Sequence, residues 1–242
     1  MARFYRAGGE IFDLPKGLSG TLLGKAVKPL AKALGSTQRE PTAVVRHLPV
    51  PEGDDALVSA LRGGRPGAAD AFFQRYVDHV KRVVIRVMNV DAEIEDIIHD
   101  VFLDALRSID RLKEPDALKM WVTSIAVFKA RRVLRTRRRR SWLRLAAPEE
   151  LDRIVPAGGG SELAEAMRCT YLVLNELPPD ERIAFALRYI EGMELVELAE
   201  ACRTSVATVR RRLQRAQERF LRKARRYPVL SARIAEGNRW TP

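Results

Sequence analysis

The sequence predicts an all-α protein of two small helical domains joined by a flexible linker, the second domain containing a helix-turn-helix. Apolar residues recur at helical spacing along the chain, and no convincing alternating pattern of a strand is present. The run 148–160 carries two prolines and three consecutive glycines, a composition typical of an unpacked connection. Two basic blocks, 119–142 and 206–226, lie at the ends of the two predicted domains.

Residues 1–53 form an N-terminal extension of a different character. Apolar residues between Leu18 and Leu34 share one helical face, but Gly20, Gly24 and Pro29 weaken that helix. The pattern predicts a disordered or marginally helical segment. The alternative is a basic amphipathic helix that binds a membrane surface or a protein partner.

The first domain, 54–142, is predicted from three apolar stripes. The stripes run from Phe72 to Met88, from Ile94 to Ile109, and from Leu118 into the first basic block. Three such stripes can bury one another, which favours a helical domain.

A linker at 143–160, a second domain at 161–226 and a C-terminal tail at 227–242 complete the expected organisation. In the second domain, Pro179 suits the first turn of a helix. A short helix, a tight turn and a long basic helix capped by Ser205 then follow, which is the order of a helix-turn-helix.

The charge of the chain favours a polyanionic partner. Its formal net charge is +12 and its pI is near 10.2, values that suit nucleic acid or an anionic membrane. No apolar run approaches the roughly 18 residues of a membrane span, and no signal peptide is evident, so a cytoplasmic protein is expected. The spacing of the two cysteines and three histidines fits neither a zinc site nor a disulfide framework.

An acidic segment precedes the first basic block, with nine acidic and three basic residues between positions 89 and 116. Asp96, Asp100 and Asp104 are spaced to share one face of a helix. Metal binding usually needs ligands that converge from several elements, so a docking surface for a basic protein helix is the better interpretation. No nucleophile motif is present, which disfavours an enzyme.

The helix-turn-helix is the stronger functional motif. Its second helix presents four early polar residues that can reach base edges in a major groove: Arg210, Arg211, Gln214 and Arg215. In the first domain, Arg137–Arg140 lie near aromatic residues, a combination that suits unpaired bases. Trp121 falls in an apolar stripe and is expected in the core, which leaves Phe128 as the exposed candidate.

Several segments in the same order resemble the sigma-seventy family of bacterial RNA polymerase sigma factors, in its extracytoplasmic-function group. The resemblance covers about residues 54 to 226 and rests on Asp91–Leu103, Trp121–Ala126, Leu177–Arg182, Leu187–Met193, Glu197–Glu200 and Thr208–Leu213.

This resemblance implies a factor that binds core RNA polymerase and directs promoter-specific transcription initiation. Core-polymerase binding would fall to Asp96, His99, Asp100, Leu103 and Asp104. The melted strand at the minus-ten element would meet Phe128, Arg132, Arg135, Arg137, Arg138, Arg139 and Arg140. The minus-thirty-five element would be read by Ser205, Thr208, Arg210, Arg211, Gln214 and Arg215, with phosphate held by Arg212, Arg219 and Lys223.

The chain departs from the family pattern in two segments. Phe128 and Arg132 stand where Asn and Asp are usual, which leaves base identity at the minus-ten element open. Arg203 stands where the turn usually has Gly and would need a left-handed or otherwise altered conformation.

The expected partners are core polymerase and promoter DNA, with room for an anti-sigma factor. No cofactor, metal, catalytic residue or small-molecule substrate is expected. The alternatives are a helix-turn-helix regulator with a helical sensing or dimerisation domain, and a nucleic-acid enzyme such as a recombinase.

Overall fold

The computed structural model describes residues 5–7, 10–12, 53–89, 92–143 and 162–235. The chain divides into two units, 1–46 and 47–242. In the first unit, β1 (Tyr5–Ala7) pairs antiparallel with β2 (Glu10–Phe12), with Arg6 opposite Ile11. The sequence pattern did not predict this hairpin. Gly8 and Gly9 separate two short runs that contain aromatic and β-branched residues, a hairpin pattern too short to stand out by periodicity.

The rest of the predicted N-terminal extension, including the helical pattern from Leu18 to Leu34, lies outside the described residues. So does the predicted linker, apart from Leu143, the last residue of a helix. The all-α prediction is confirmed for the part of the second unit that the structure describes.

The predicted first domain consists of four α-helices, the last two separated by short 3-10 turns at Ile109–Arg111 and Pro115–Ala117. The helices are α1 (Asp54–Arg62), α2 (Ala68–Met88), α3 (Ile94–Ser108) and α4 (Leu118–Leu143). The predicted apolar stripes are buried between them. Phe72 of α2, for example, meets Phe102 of α3 edge to face, with ring centroids 5.3 Å apart.

The described residues of the predicted second domain and tail form five α-helices. They are α5 (Glu162–Asn175), α6 (Pro179–Phe185), α7 (Leu195–Ala201), α8 (Val206–Ala224) and α9 (Pro228–Ala235). A π turn, Ala186–Ile190, continues α6, and the chain then bends at Gly192 with a φ of +86°. Only glycine adopts such a φ without strain. Helix α9 falls within the segment expected to be a tail, and its Leu230 is buried.

One hydrophobic core spans both predicted domains. It joins Val127 and Ala130 of α4 to Leu187, Leu198 and other buried residues of the second domain. A second cluster lies inside the second domain, where the rings of Phe185 and Phe220 stack 4.6 Å apart.

Helix α4 lies between the two halves. Its residues 122–127 are all buried. Because successive helical residues are rotated by about 100°, six consecutive buried positions require cover on every side of the helix. The structure therefore describes the two predicted domains packed against each other, with α4 at their centre.

No helix in the described ranges has both the length and the apolar character needed to cross a bilayer.

Candidate nucleic-acid interface

The long basic helix α8 begins at a side-chain cap. Ser205 Oγ accepts a hydrogen bond from the backbone N–H of Thr208 at 3.2 Å, as predicted. The early polar residues then point outward, because Val209 and Leu213 face the core. The exposed residues are Arg210, Arg211, Gln214 and Arg215. The arrangement gives the first turns of α8 a continuous surface of donors and acceptors that could enter a groove.

The three residues assigned to phosphate are each held by a carboxylate of the same half. The pairs are Arg212 with Asp180 at 4.0 Å, Arg219 with Glu181 at 3.3 Å, and Lys223 with Glu176 at 2.5 Å. A phosphate would have to share these cations with their present partners.

Arg203 has a φ of +50° at the turn between α7 and α8. The expected left-handed conformation is therefore confirmed, at a cost of about 1–2 kcal/mol for a residue with a side chain. Its guanidinium Nη2 donates to Ser124 Oγ of α4 at 3.1 Å. That contact gives the strained position a role in joining the two halves.

On α4, Phe128 is 56% exposed, and Arg132, one turn later, is also exposed. Trp121 is partly buried against the core, as its stripe predicted. The remaining predicted cations differ in their surroundings. Arg139 and Arg140 are exposed and Arg138 is half-buried. Arg137 Nε donates to Glu93 at 3.1 Å, and Arg135 Nη2 donates to Asp180 at 2.9 Å.

The acidic face of α3 is split by one lysine that sequence reasoning did not single out. Asp96 and Asp100 are exposed, whereas Asp104 is half-buried. Lys129 Nζ lies 2.6 Å from Asp104 and 3.5 Å from Asp100. His99 and Leu103, the other residues predicted to bind polymerase, are half-buried on the same helix.

A cleft of about 350 Å³ is lined by residues of α3 and α4. One wall is acidic, with Asp96 and Asp100, and the other is basic, with Arg132, Arg137 and Arg140. Two predicted surfaces, one for a basic protein helix and one for an unpaired strand, therefore meet at the same cleft. In the part of the chain that the structure describes, no group of three His, Cys, Asp or Glu side chains is placed to hold a metal.

His79, on α2, is held between three polar neighbours. The Thr123 hydroxyl donates to the Lys119 carbonyl, so His79 Nε2 is the donor in its 2.7 Å contact with Thr123 Oγ1. Its Nδ1 then accepts from Arg82 at 3.3 Å. Burial, followed by the charges of Lys119 and Arg82, lowers the pKa of His79 to about 4.

Sequence reasoning also missed Arg182, which is only 4% exposed. From α6, its guanidinium donates to the carbonyls of Val87 at 2.8 Å and Met88 at 3.0 Å, and also to the Asn175 side chain. A cation suits the carbonyl end of a helix. In the sequence, Arg182 directly follows Pro179, Asp180 and Glu181 at the start of a helix. Nothing in that pattern predicts that Arg182 contacts the end of α2.

Comparison with known proteins identifies both halves. The profile described as "Sigma-70 region 2" matches residues 72–140, and "Sigma-70, region 4" matches residues 167–219. Together the two matches take up just over half of the chain.

Two curated relatives carry the name ECF RNA polymerase sigma-E factor. The protein from Haemophilus influenzae is 29% identical over 174 residues, which cover 68% of this chain and 92% of that protein. The protein from Escherichia coli K12 is 26% identical over 174 residues, which cover 68% of this chain and 91% of that protein.

Two solved structures also resemble the chain, both with a TM-score of 0.47 and 20% identity. One is CnrH in complex with the cytosolic domain of CnrY, where the match covers 69% of this chain and 94% of that one. The other is the sigma factor RpoE in complex with the anti-sigma factor NepR from Bartonella quintana, with 64% and 96% covered. On the two sequence profiles and the named relatives, the chain belongs to the sigma-70 family of RNA polymerase sigma factors, in its ECF group.

Proposed function

We propose that this sigma factor docks on core RNA polymerase with the acidic face of α3 and reads promoter DNA with two separate surfaces. The exposed side of α4 around Phe128 and Arg132 captures the melted strand at the minus-ten element. The first turns of α8 enter the major groove at the minus-thirty-five element. The observation that carries the proposal is the joint exposure of four base-reading candidates directly after a capped helix start: Arg210, Arg211, Gln214 and Arg215.

The charges of the surfaces support this division of roles. The exposed carboxylates of Asp96 and Asp100 can steer a basic protein helix, and Ile97 lines the adjoining cleft. Flat Phe128 beside cationic Arg132 offers a base both a stacking surface and a counter-charge. The proposal leaves RNA synthesis to the polymerase and assigns no catalytic step to this chain. Such a factor acts in the cytoplasm. Binding of an anti-sigma factor to this chain stays a prediction.

In vitro transcription with core polymerase and genomic fragments tests the docking surface. The full chain with Asp96→Lys and Asp100→Lys should lose core binding and transcripts, because two reversed charges oppose a basic partner. Both side chains are exposed, so helical content should not change.

Asp70→Lys combined with Asp78→Lys provides the matched control, since both are exposed acids on α2, outside the proposed face. Unaltered core affinity in the α3 variant, or equal losses in the control, would remove the assignment of α3.

A further inference from the structure

Glu218 is the one acidic residue of α8, whose other charged residues are all basic. Its side chain is exposed. It lies four residues after Gln214 and seven after Arg211, so the three side chains share the outward face of the helix. A negative charge on a face that approaches phosphate groups weakens binding to DNA. Any favourable role of Glu218 must therefore come from a contact within the helix itself.

The structure shows such a contact between Glu218 and Gln214. Gln214 Nε2 donates to Glu218 Oε1 at 3.1 Å, across one turn of α8. An ionised carboxylate can only accept hydrogen bonds, whereas an amide has a donor end and an acceptor end. Glu218 therefore fits one orientation of the Gln214 amide, with the nitrogen towards Glu218 and the oxygen away from it.

The amide held in this way keeps the groups that a base edge needs. It has two N–H groups, so one bond to Glu218 leaves the oxygen and the second N–H available. In the major groove, adenine presents the N6–H donor beside the N7 acceptor, and a glutamine can bind both at once. Guanine presents two acceptors there, O6 and N7, and would meet the amide oxygen with a like group. The fixed amide of Gln214 thus favours adenine over guanine.

Without Glu218, the Gln214 amide would be free to turn. The last side-chain torsion of glutamine is broad and roughly two-fold, and a turned amide presents its NH₂ group in place of its oxygen. The NH₂ group can donate to O6 of guanine or O4 of thymine. Loss of Glu218 therefore widens the set of bases that Gln214 accepts and leaves Gln214 itself in place.

Arg211, the neighbouring base-reading candidate, is held by different contacts. Its Nη2 donates to Thr208 Oγ1 at 3.3 Å, and the Thr208 hydroxyl lies 3.0 Å from Oγ of Ser205, the cap of the helix. A guanidinium has five N–H donors, so most of them remain for a base. This chain of contacts runs to the start of α8 and does not include Glu218. Arg211 is therefore an internal reference for any change made at Glu218.

We propose that Glu218 is a positioning residue for promoter reading, which holds the Gln214 amide so that the minus-thirty-five element carries adenine where Gln214 meets it. This inference rests on the proposed function, because it takes the first turns of α8 as the part that enters the major groove. It deepens that function by naming one base. Glu218 acts on the base through Gln214, without a contact of its own to the DNA.

The test measures base preference with the full chain assembled on core polymerase. A promoter recovered from the genomic fragments is rebuilt as a library with a randomised minus-thirty-five element, and each template carries a barcode in its transcribed part. Sequencing of the transcripts gives the preference at every position. The unsubstituted factor should prefer adenine at one position that Gln214→Ala relaxes. Arg211→Ala should relax a different position.

Glu218→Ala should act at the same position as Gln214→Ala. The preference for adenine over guanine should fall there about fivefold or more, while the position that depends on Arg211 should keep its preference. Transcription from the library as a whole should not fall, because a negative charge leaves a surface that faces DNA. Glu218→Asp keeps a group that only accepts, and glutamine pairs with aspartate at the same helical spacing. This variant should therefore retain the preference for adenine.

Glu200→Ala is the matched control for the change of net charge. Glu200 is an exposed acid on α7, the first helix of the helix-turn-helix, and so lies on a different helix from Gln214. Its removal should leave the preference for adenine unchanged. Both Glu200 and Glu218 are exposed, so urea unfolding should be alike in all these variants. A fault in folding would lower transcription from every template, whereas loss of positioning changes the preference at one position.

An unchanged preference for adenine in Glu218→Ala, or an equal loss of it in Glu200→Ala or Glu218→Asp, would overturn the role of Glu218. A preference for another base at the position of Gln214 would overturn it as well. In each of these cases the proposed function stands, provided that Gln214→Ala and Arg211→Ala relax separate positions. If neither variant relaxes any position, or if the unsubstituted chain starts no transcription, the proposed function is overturned, and the inference that rests on it falls too.

Discussion

Replacing Phe128 by alanine should separate strand capture from folding. The ring is 56% exposed and lies one turn before the exposed Arg132. Stacking of an unpaired base on an aromatic ring is worth about 1–3 kcal/mol, so Phe128→Ala should weaken binding of a single-stranded oligonucleotide by about 5- to 150-fold.

The structure also limits the cost to stability. A phenylalanine buries about 200 Å² when fully covered, and roughly two-fifths of Phe128 is covered. At about 25 cal/mol per Å², the loss in unfolding free energy is at most about 2 kcal/mol. Phe220 is fully buried and stacked on Phe185, and its truncation should cost about 3–5 kcal/mol.

The assay is fluorescence anisotropy of a labelled oligonucleotide with the full chain, beside urea unfolding of the same proteins. Phe128→Tyr keeps the flat ring and should retain affinity, whereas Phe128→Leu keeps apolar bulk alone and should resemble Phe128→Ala. Equal affinity in Phe128→Leu and Phe128→Tyr would show that stacking is not the interaction. An unfolding loss as large as that of Phe220→Ala would show that Phe128 serves the core.

Three further outcomes are expected. In the full chain, Arg211→Ala should cost about 1–3 kcal/mol of DNA-binding free energy and relax the base preference at one position of an upstream-sequence library. Lys223→Ala should weaken binding of all sequences alike, and by less than the loss of an unpaired lysine, because Glu176 already pairs with Lys223. If both variants lose affinity uniformly and equally at two salt concentrations, α8 binds phosphate only. Ser205→Ala should lower the unfolding free energy by about 1 kcal/mol through loss of the N-cap, and unchanged urea unfolding would contradict that role. The pKa of His79 is lowered from 6.5 to about 4, so the unfolded chain takes up the proton at a higher pH than the folded chain. The contribution of neutral His79 to the unfolding free energy should be fully present above pH 6.5 and fall as the pH drops toward 4. His79→Gln should reduce the difference between urea unfolding at pH 7 and at pH 5.

Local chemistry made much of the fold predictable. Ser205 stands directly before an apolar-periodic basic run, and the structure places it as the cap of α8. The left-handed backbone at Arg203 followed from the resemblance, because the family usually has Gly at this position of the turn. Phe128 was separable from Trp121 because only the latter falls in an apolar stripe.

The contact between the halves could not be predicted in the same way. Asp180 follows Pro178-Pro179, and an acid in the first turn of a helix needs no remote partner to explain it. Its partners Arg131 and Arg135 are remote in sequence, and a helical pattern does not tell which neighbour a face will meet. Between 122 and 127, apolar and small residues lie on every side of α4, so this part of the helix is weakly amphipathic. That pattern was the one sign in the sequence that α4 is buried on all sides.

The hydroxyl groups of Thr123 and Ser124 are buried on α4. The Thr123 hydroxyl donates to Lys119 O at 2.7 Å, and the Ser124 hydroxyl donates to Trp121 O at 2.7 Å. Both donors are satisfied inside the helix, so their burial leaves no hydroxyl without an acceptor. Helix α4 can therefore lie in one core with apolar residues of the second domain, such as Leu187 and Leu198, without the cost of an unpaired donor.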